Sequence, residues 1–100
     1  MTLIVAGTVR VPPERIETFR PYMQAMIEST RQEAGCLEYS YAVDVLDPGL
    51  VRVFEVWRDH ASLAAHFTTS HMVEWRSMWG NFGVSDRRLI AYEVASQDDM

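Results

Sequence analysis

The sequence predicts an α+β fold: an antiparallel sheet carrying its helices on one face. Three observations lead there. Runs rich in β-branched and aromatic residues alternate with segments whose apolar residues recur every three or four positions. Turn-forming residues separate these segments, and their order is β-α-β-β-α-(α)-β. The 100-residue length fits one domain, expected over residues 1–100 with a polar tail from about 96 to 100, and the five Gly and four Pro never cluster into a linker.

The first strand, Leu3 to Val9, is almost continuously apolar, as expected for a strand buried on both faces. Val11-Pro12-Pro13-Glu14 closes it and opens a helix, since proline is tolerated in a first turn and Glu14 and Glu17 suit the positive end of the helix dipole. Within that helix Ile16, Phe19, Met23, Met26, Ile27 and Thr30 form one stripe. Pro21 lies inside it and predicts a kink or break near Phe19–Arg20, and Gly35 suits a left-handed C-terminal cap. Leu37–Val43 and Val51–Trp57 read as an antiparallel hairpin closed by the turn Leu46-Asp47-Pro48-Gly49-Leu50. Asp59 is placed to cap a short helix through Ala61–Phe67, and Ser70 to cap a second from His71 to about Trp79. Asn81-Phe82-Gly83 ends that helix, and Arg88–Val94 is the last strand. This is the split βαβ plan of ferredoxin-like folds.

On the third strand Val51, Val53 and Trp57 point one way while Leu50, Phe54 and Val56 point the other, so both faces are largely apolar. A solvated face reads polar at every second position. We therefore expect a second copy packed sheet to sheet, a homodimer through the sheet face.

Composition narrows the chemistry. All nine basic residues are Arg, which removes lysine Schiff bases and Walker-type phosphate loops. The single Cys36 excludes an internal disulfide and a multi-cysteine metal site. A net charge of −5 with scattered arginines argues against nucleic acid or an anionic membrane as partner. The longest uncharged stretch, Met1–Val9, is too short to span a bilayer and lacks a basic start, so the expected address is cytoplasmic.

Histidine, glutamate and arginine remain as reactive candidates. His60, His66 and His71 are six and five residues apart, not the i, i+4 spacing of helical metal ligands, and no metal is expected. His66 reads as a core-edge histidine on backbone, and His71 as a capping or surface residue. Glu55 interrupts an apolar strand face; it is either at a wet strand end or buried, where its pKa rises and it becomes a usable acid or base. Trp57, Trp75 and Trp79 supply flat surface for a planar ligand.

The run Glu55-Val-Trp57-Arg-Asp59-His-Ala61-Ser-Leu-Ala-Ala-His66-Phe67-Thr-Thr-Ser-His71-Met72 resembles the signature of the antibiotic biosynthesis monooxygenase domain family. Gly35-Cys36-Leu37-x-Tyr39 and Val11-Pro12-Pro13-Glu14 resemble the family's segments flanking the first helix, and the likeness covers roughly residues 2 to 95. The resemblance implies a dimeric α+β barrel with a cavity between sheet and helices in each subunit. It implies a cofactor-independent monooxygenase acting with molecular oxygen as co-substrate on a small phenolic or quinol-type molecule. His66, His71 or Glu55 would supply the base and Arg52 or Arg76 would stabilise the anion. Tyr39, Tyr41, Trp57, Phe67, Met72, Trp75 and Trp79 would line the cavity. The haem-degrading branch uses an Asn and a His at positions that fall near Gly7 and Arg76 here, so haem degradation is disfavoured. The alternatives are a non-oxidative isomerase or lyase on a small carbonyl compound, and a non-catalytic ligand-binding dimer.

Overall fold

The computed structural model describes residues 1–100. Four strands form one antiparallel sheet: β1 (Leu3–Arg10), β2 (Cys36–Val43), β3 (Leu50–Trp57) and β4 (Ser85–Glu93), in the order β2-β3-β1-β4. A 3-10 turn at Pro13–Arg15 leads into α1 (Ile16–Arg31), and α2 (His60–Phe67) and α3 (Ser70–Phe82) connect β3 to β4. The order and pairing are those of the split βαβ plan, and the predicted hairpin of β2 and β3 is present.

Register explains which side chains meet. Tyr39, Glu55, Val5 and Ala91 lie in one cross-strand row, and Tyr41, Val53, Gly7 and Leu89 in the next. These rows face the helices, where Phe19 stacks on Trp75 with ring centroids 4.8 Å apart and on Phe82 at 4.3 Å. Ile16, Phe19, Met23, Met26 and Thr30 of α1 are buried, while Ile27 is half-buried, so the predicted stripe is the helix's inner face. At Gly7 a methyl group would stand 1.9 Å from the Arg88 carbonyl oxygen, so only glycine lets β1 and β4 approach this closely.

The opposite face carries the rows Glu38, Val56, Ile4, Tyr92 and Ser40, Phe54, Ala6, Ile90. Phe54 is 37% exposed, Ile90 38% and Tyr92 52%: an apolar surface with no helix over it.

Three local expectations change. Helix α1 runs unbroken through Pro21. Pro21 lies on the exposed side, and the carbonyl it leaves without a donor, that of Glu17, is also on an exposed residue where water can reach it. Gly35 has the left-handed φ of +86°, but it stands in the turn into β2, four residues beyond the end of α1, which Gln32 caps. Thr69 rather than Ser70 caps α3, its hydroxyl accepting from the Met72 amide at 3.3 Å, so the helix begins one residue early. Asp59 caps α2 as expected, accepting from the Ser62 amide at 2.8 Å, and Gly83, at φ +71°, closes α3.

Candidate functional site

A cavity of about 30 Å³ lies between the helix-facing side of the sheet and the helices α1, α2 and α3. Its walls are mostly apolar, from Val9, Phe19, Met23, Val53 and Leu89 among others, with Tyr39, Tyr41, Phe67, Met72, Trp75 and Trp79. Three ionisable groups interrupt them besides the tyrosines: Glu55, His66 and Arg87.

Each group arrives by a readable route. Glu55 shares the inward parity of Val51, Val53 and Trp57 on β3, and it is buried. Its Oε1 accepts from the Trp57 indole N–H at 2.9 Å, two residues along the same face. Burial holds the Glu55 carboxyl above the ordinary carboxylate range, and the Trp57 bond and the Arg87 charge oppose that shift only in part.

His66 sits in the last turn of α2, packed between Trp57 and Tyr39 at centroid distances of 4.7 and 5.5 Å. Its partner is a carboxylate rather than backbone: Nδ1 lies 2.7 Å from Glu33 Oε2. Burial lowers the His66 pKa from 6.5, and the bond and charge of Glu33 counteract this incompletely, so the ring is neutral at pH 7. With a neutral ring, Nδ1–H donates to the Glu33 carboxylate, and Nε2 keeps a lone pair.

His71, in the first turn of α3, places Nε2 2.6 Å from the same Glu33 oxygen. It does not line the cavity; it stands behind Glu33 and faces an outer groove with Tyr22 and Met78. Glu33 therefore ties together the turn after α1 and the junction of α2 and α3. His60 lies elsewhere, exposed, with Nε2 2.7 Å from Glu93.

Tyr39 and Tyr41 share a hydroxyl–hydroxyl bond of 2.9 Å, and burial pushes both phenols upward, so they remain protonated. Arg87 closes one side, its guanidinium carbon 5.3 Å from the Trp79 ring centroid.

The structure brings together Glu55, His66, Tyr39, Tyr41, Phe67, Met72, Trp75 and Trp79 around this cavity, with Trp57 immediately behind Glu55 and His66. It does not bring Arg52 or Arg76 there. Arg52 has the outward parity of β3 and pairs with Asp44 at 2.9 Å; Arg76 is exposed and donates to the Phe67 carbonyl at 3.1 Å. Sequence reasoning missed Glu33 and Arg87. No pattern marks Glu33, which lies on an irregular turn 33 residues from His66. Arg87 did leave a signal, since it shares the parity of Leu89 and Ala91, whose register partners Gly7 and Val5 face inward.

A larger groove of about 420 Å³ runs between α1 and the edge strand β2, sharing Met23, Tyr41 and Val51 with the cavity wall. Its own charged groups, Arg20, Glu28 and Arg31, are exposed, and it holds no histidine. No helix is long and apolar enough to cross a membrane.

The family model described as antibiotic biosynthesis monooxygenase matches residues 2–78. An uncharacterised protein of Synechocystis, sll1783, is 39% identical over 72 residues, which are 72% of this chain and 49% of that protein. The chain thus spans about half the length of that curated relative. Among solved structures, PA3566 from Pseudomonas aeruginosa is 29% identical with a TM-score of 0.76, covering 94% of both chains. A Deinococcus radiodurans structure described as a "putative antibiotic biosynthesis monooxygenase" has a TM-score of 0.89 over 100% of this chain and 98% of its own. At 23% identity that likeness speaks for the fold alone.

Proposed function

The chain belongs to the antibiotic biosynthesis monooxygenase family, and from that premise we propose that it is a cofactor-independent monooxygenase of a small phenolic or quinol-type substrate. The observation that carries the reading is His66: buried, bound through Nδ1 to Glu33, and lining a cavity walled by aromatic rings.

The mechanism asks the protein for a base, a dry site and an oriented ring. His66 Nε2 takes the substrate's acidic proton, and Glu33 stabilises the imidazolium so formed. Arg87 faces the developing anion. The electron-rich anion passes one electron to dioxygen, and the radical pair collapses to a carbon–oxygen bond. His66 returns its proton to that peroxide. Loss of the remaining hydrogen on the same carbon, with cleavage of the O–O bond, leaves a carbonyl and one water. One oxygen atom enters the product and the other becomes water, so the four-electron oxidation of the substrate balances the four-electron reduction of dioxygen.

Size sets a condition. The cavity of about 30 Å³ has room for about one water, whereas an engineered cavity of about 150 Å³ takes benzene. Substrate binding must therefore displace wall side chains, and the half-exposed Phe67 and Trp79 with Arg87 are the ones free to move outward. We assign the apolar outer sheet face to a second copy of the chain, which would cover Phe54, Ile90 and Tyr92.

Oxygen uptake across a panel of hydroquinones, phenols and anthrone-like compounds tests the reading. The expectation is stoichiometric uptake that Glu33→Gln slows, because an amide neither fixes the Nδ1–H tautomer of His66 nor stabilises its imidazolium. No uptake across a broad panel would contradict it. One observation favours a second reading: Glu55 and His66 line one cavity with pKa values displaced in opposite directions, an acid–base couple suited to isomerising a carbonyl compound. Turnover under anaerobic conditions would select it.

A further inference from the structure

The group behind His66 has a chemistry of its own. Glu33, His66 and His71 come from three separate elements, and one ligand atom from each lies within 4.8 Å of the others. The carboxylate oxygen Oε2 stands 2.7 Å from His66 Nδ1 and 2.6 Å from His71 Nε2. Side-chain exposure rises from 2% at His66 through 13% at Glu33 to 22% at His71, so the cluster is closed on the cavity side and opens to solvent through His71.

The geometry points to a binding site for a divalent transition cation of the zinc class, filled from the His71 side, whose occupancy switches His66 off as a base. Two imidazole nitrogens and one carboxylate oxygen are the donor set such ions take, and a fourth position is left for water. Metal bonds of about 2.0–2.1 Å put tetrahedral ligand atoms roughly 3.3 Å apart, so the two short contacts must open by about 0.6 Å. His71, at the start of α3, can open its own contact by rotating its side chain, and a shift of the Glu33 carboxylate, on the turn after α1, opens the contact to His66. The C-terminal ends of α1 and α2 lie beside Glu33 and His66 and favour a cation; the N-terminus of α3 and the Arg76 charge near His66 oppose it. Without metal the two imidazole N–H groups share the carboxylate. With metal, each ring presents a lone pair there and carries its proton on the other nitrogen. For His66 that other nitrogen is Nε2, which then donates and has no lone pair for a substrate proton.

The switching half rests on His66 being the base; the binding half does not. Chelator-treated protein is titrated with Zn²⁺ by calorimetry and with Co²⁺ by visible absorption. We expect one ion per chain with a tetrahedral cobalt spectrum. Affinity should fall at least tenfold in His71→Ala, His71→Gln and Glu33→Gln, and stay unchanged in His60→Ala, with circular dichroism confirming that each variant folds. No saturable binding, or wild-type affinity in both His71 variants, overturns the site. Where oxygen uptake is measurable, Zn²⁺ should inhibit it with the midpoint of the binding curve. Binding without inhibition overturns the switch and argues against His66 as the base, whereas uptake without zinc binding overturns only the metal site.

Discussion

The two faces of strand β3 differ in what covers them more than in what composes them. Inward, Val51, Val53 and Trp57 are buried, and so is the polar Glu55 beside them. Outward, Phe54 is more than a third exposed although it is as apolar as anything on the inner face. A carboxyl group is kept in a buried site where a hydrogen-bond partner is built for it, here the Trp57 indole N–H. An apolar ring left in water marks a surface with work still to do. The inner face thus carries the candidate chemistry and the outer face the candidate assembly.

Substitutions on either side should separate these roles. The largest expected effect is at His66: replacing a general base costs on the order of a hundredfold to ten-thousandfold in rate, so His66→Ala should lose oxygen uptake while keeping its oligomeric mass. Phe19→Ala removes the ring stacked between Trp75 and Phe82 and should cost about 3–5 kcal/mol, read from chemical denaturation. On the outer face, Phe54→Asp with Ile90→Asp should halve the mass seen by light scattering and leave the fold intact by circular dichroism. A wild type that is already monomeric would remove the proposed dimer.

The smallest effect is in pH dependence, and it differs in sign between the two inner groups. Burial lowers the folded pKa of His66, so the unfolded chain takes up a proton first, and stability declines as pH falls below about 6.5. Burial raises that of Glu55, so its contribution is fully present below pH 4.5 and is lost as pH rises through the folded value. Glu55→Gln should therefore remove a loss of stability between mildly acidic and neutral pH, measurable as denaturation midpoints across that range. A parallel pair of profiles for wild type and variant would mean that Glu55 is not held as described.

Much of the fold was legible because it depends on local periodicity. The three-and-four spacing from Ile16 to Thr30 identifies the buried face of α1, and the alternation of β3 groups Val51, Val53 and Trp57 on one face; Arg52, expected beside the substrate, has the opposite parity to Glu55 and lies outside the cavity. What escaped depended on long-range closure or on solvent. Pro21 signals a kink or a break, yet the helix continues past it, because the lost hydrogen bond falls at an exposed carbonyl. Glu33 carries no signal in the sequence, and only the tertiary packing that brings α2 and α3 to the turn after α1 makes it the shared partner of two histidines. His66 and Glu55 were both candidates from the motif; that they line one cavity, with His71 behind Glu33, follows from the register of the sheet and the angle of α2.

The central claim is the protonation state of His66: a neutral ring, protonated on Nδ1 toward Glu33, with Nε2 free for the cavity. Long-range ¹⁵N–¹H correlation spectra of histidine-labelled, chelator-treated protein at pH 7.5 read this directly. One neutral Nδ1–H histidine is expected, assigned by its loss in His66→Ala and shifted in Glu33→Ala. An Nε2–H tautomer or an imidazolium at His66 under those conditions would contradict it.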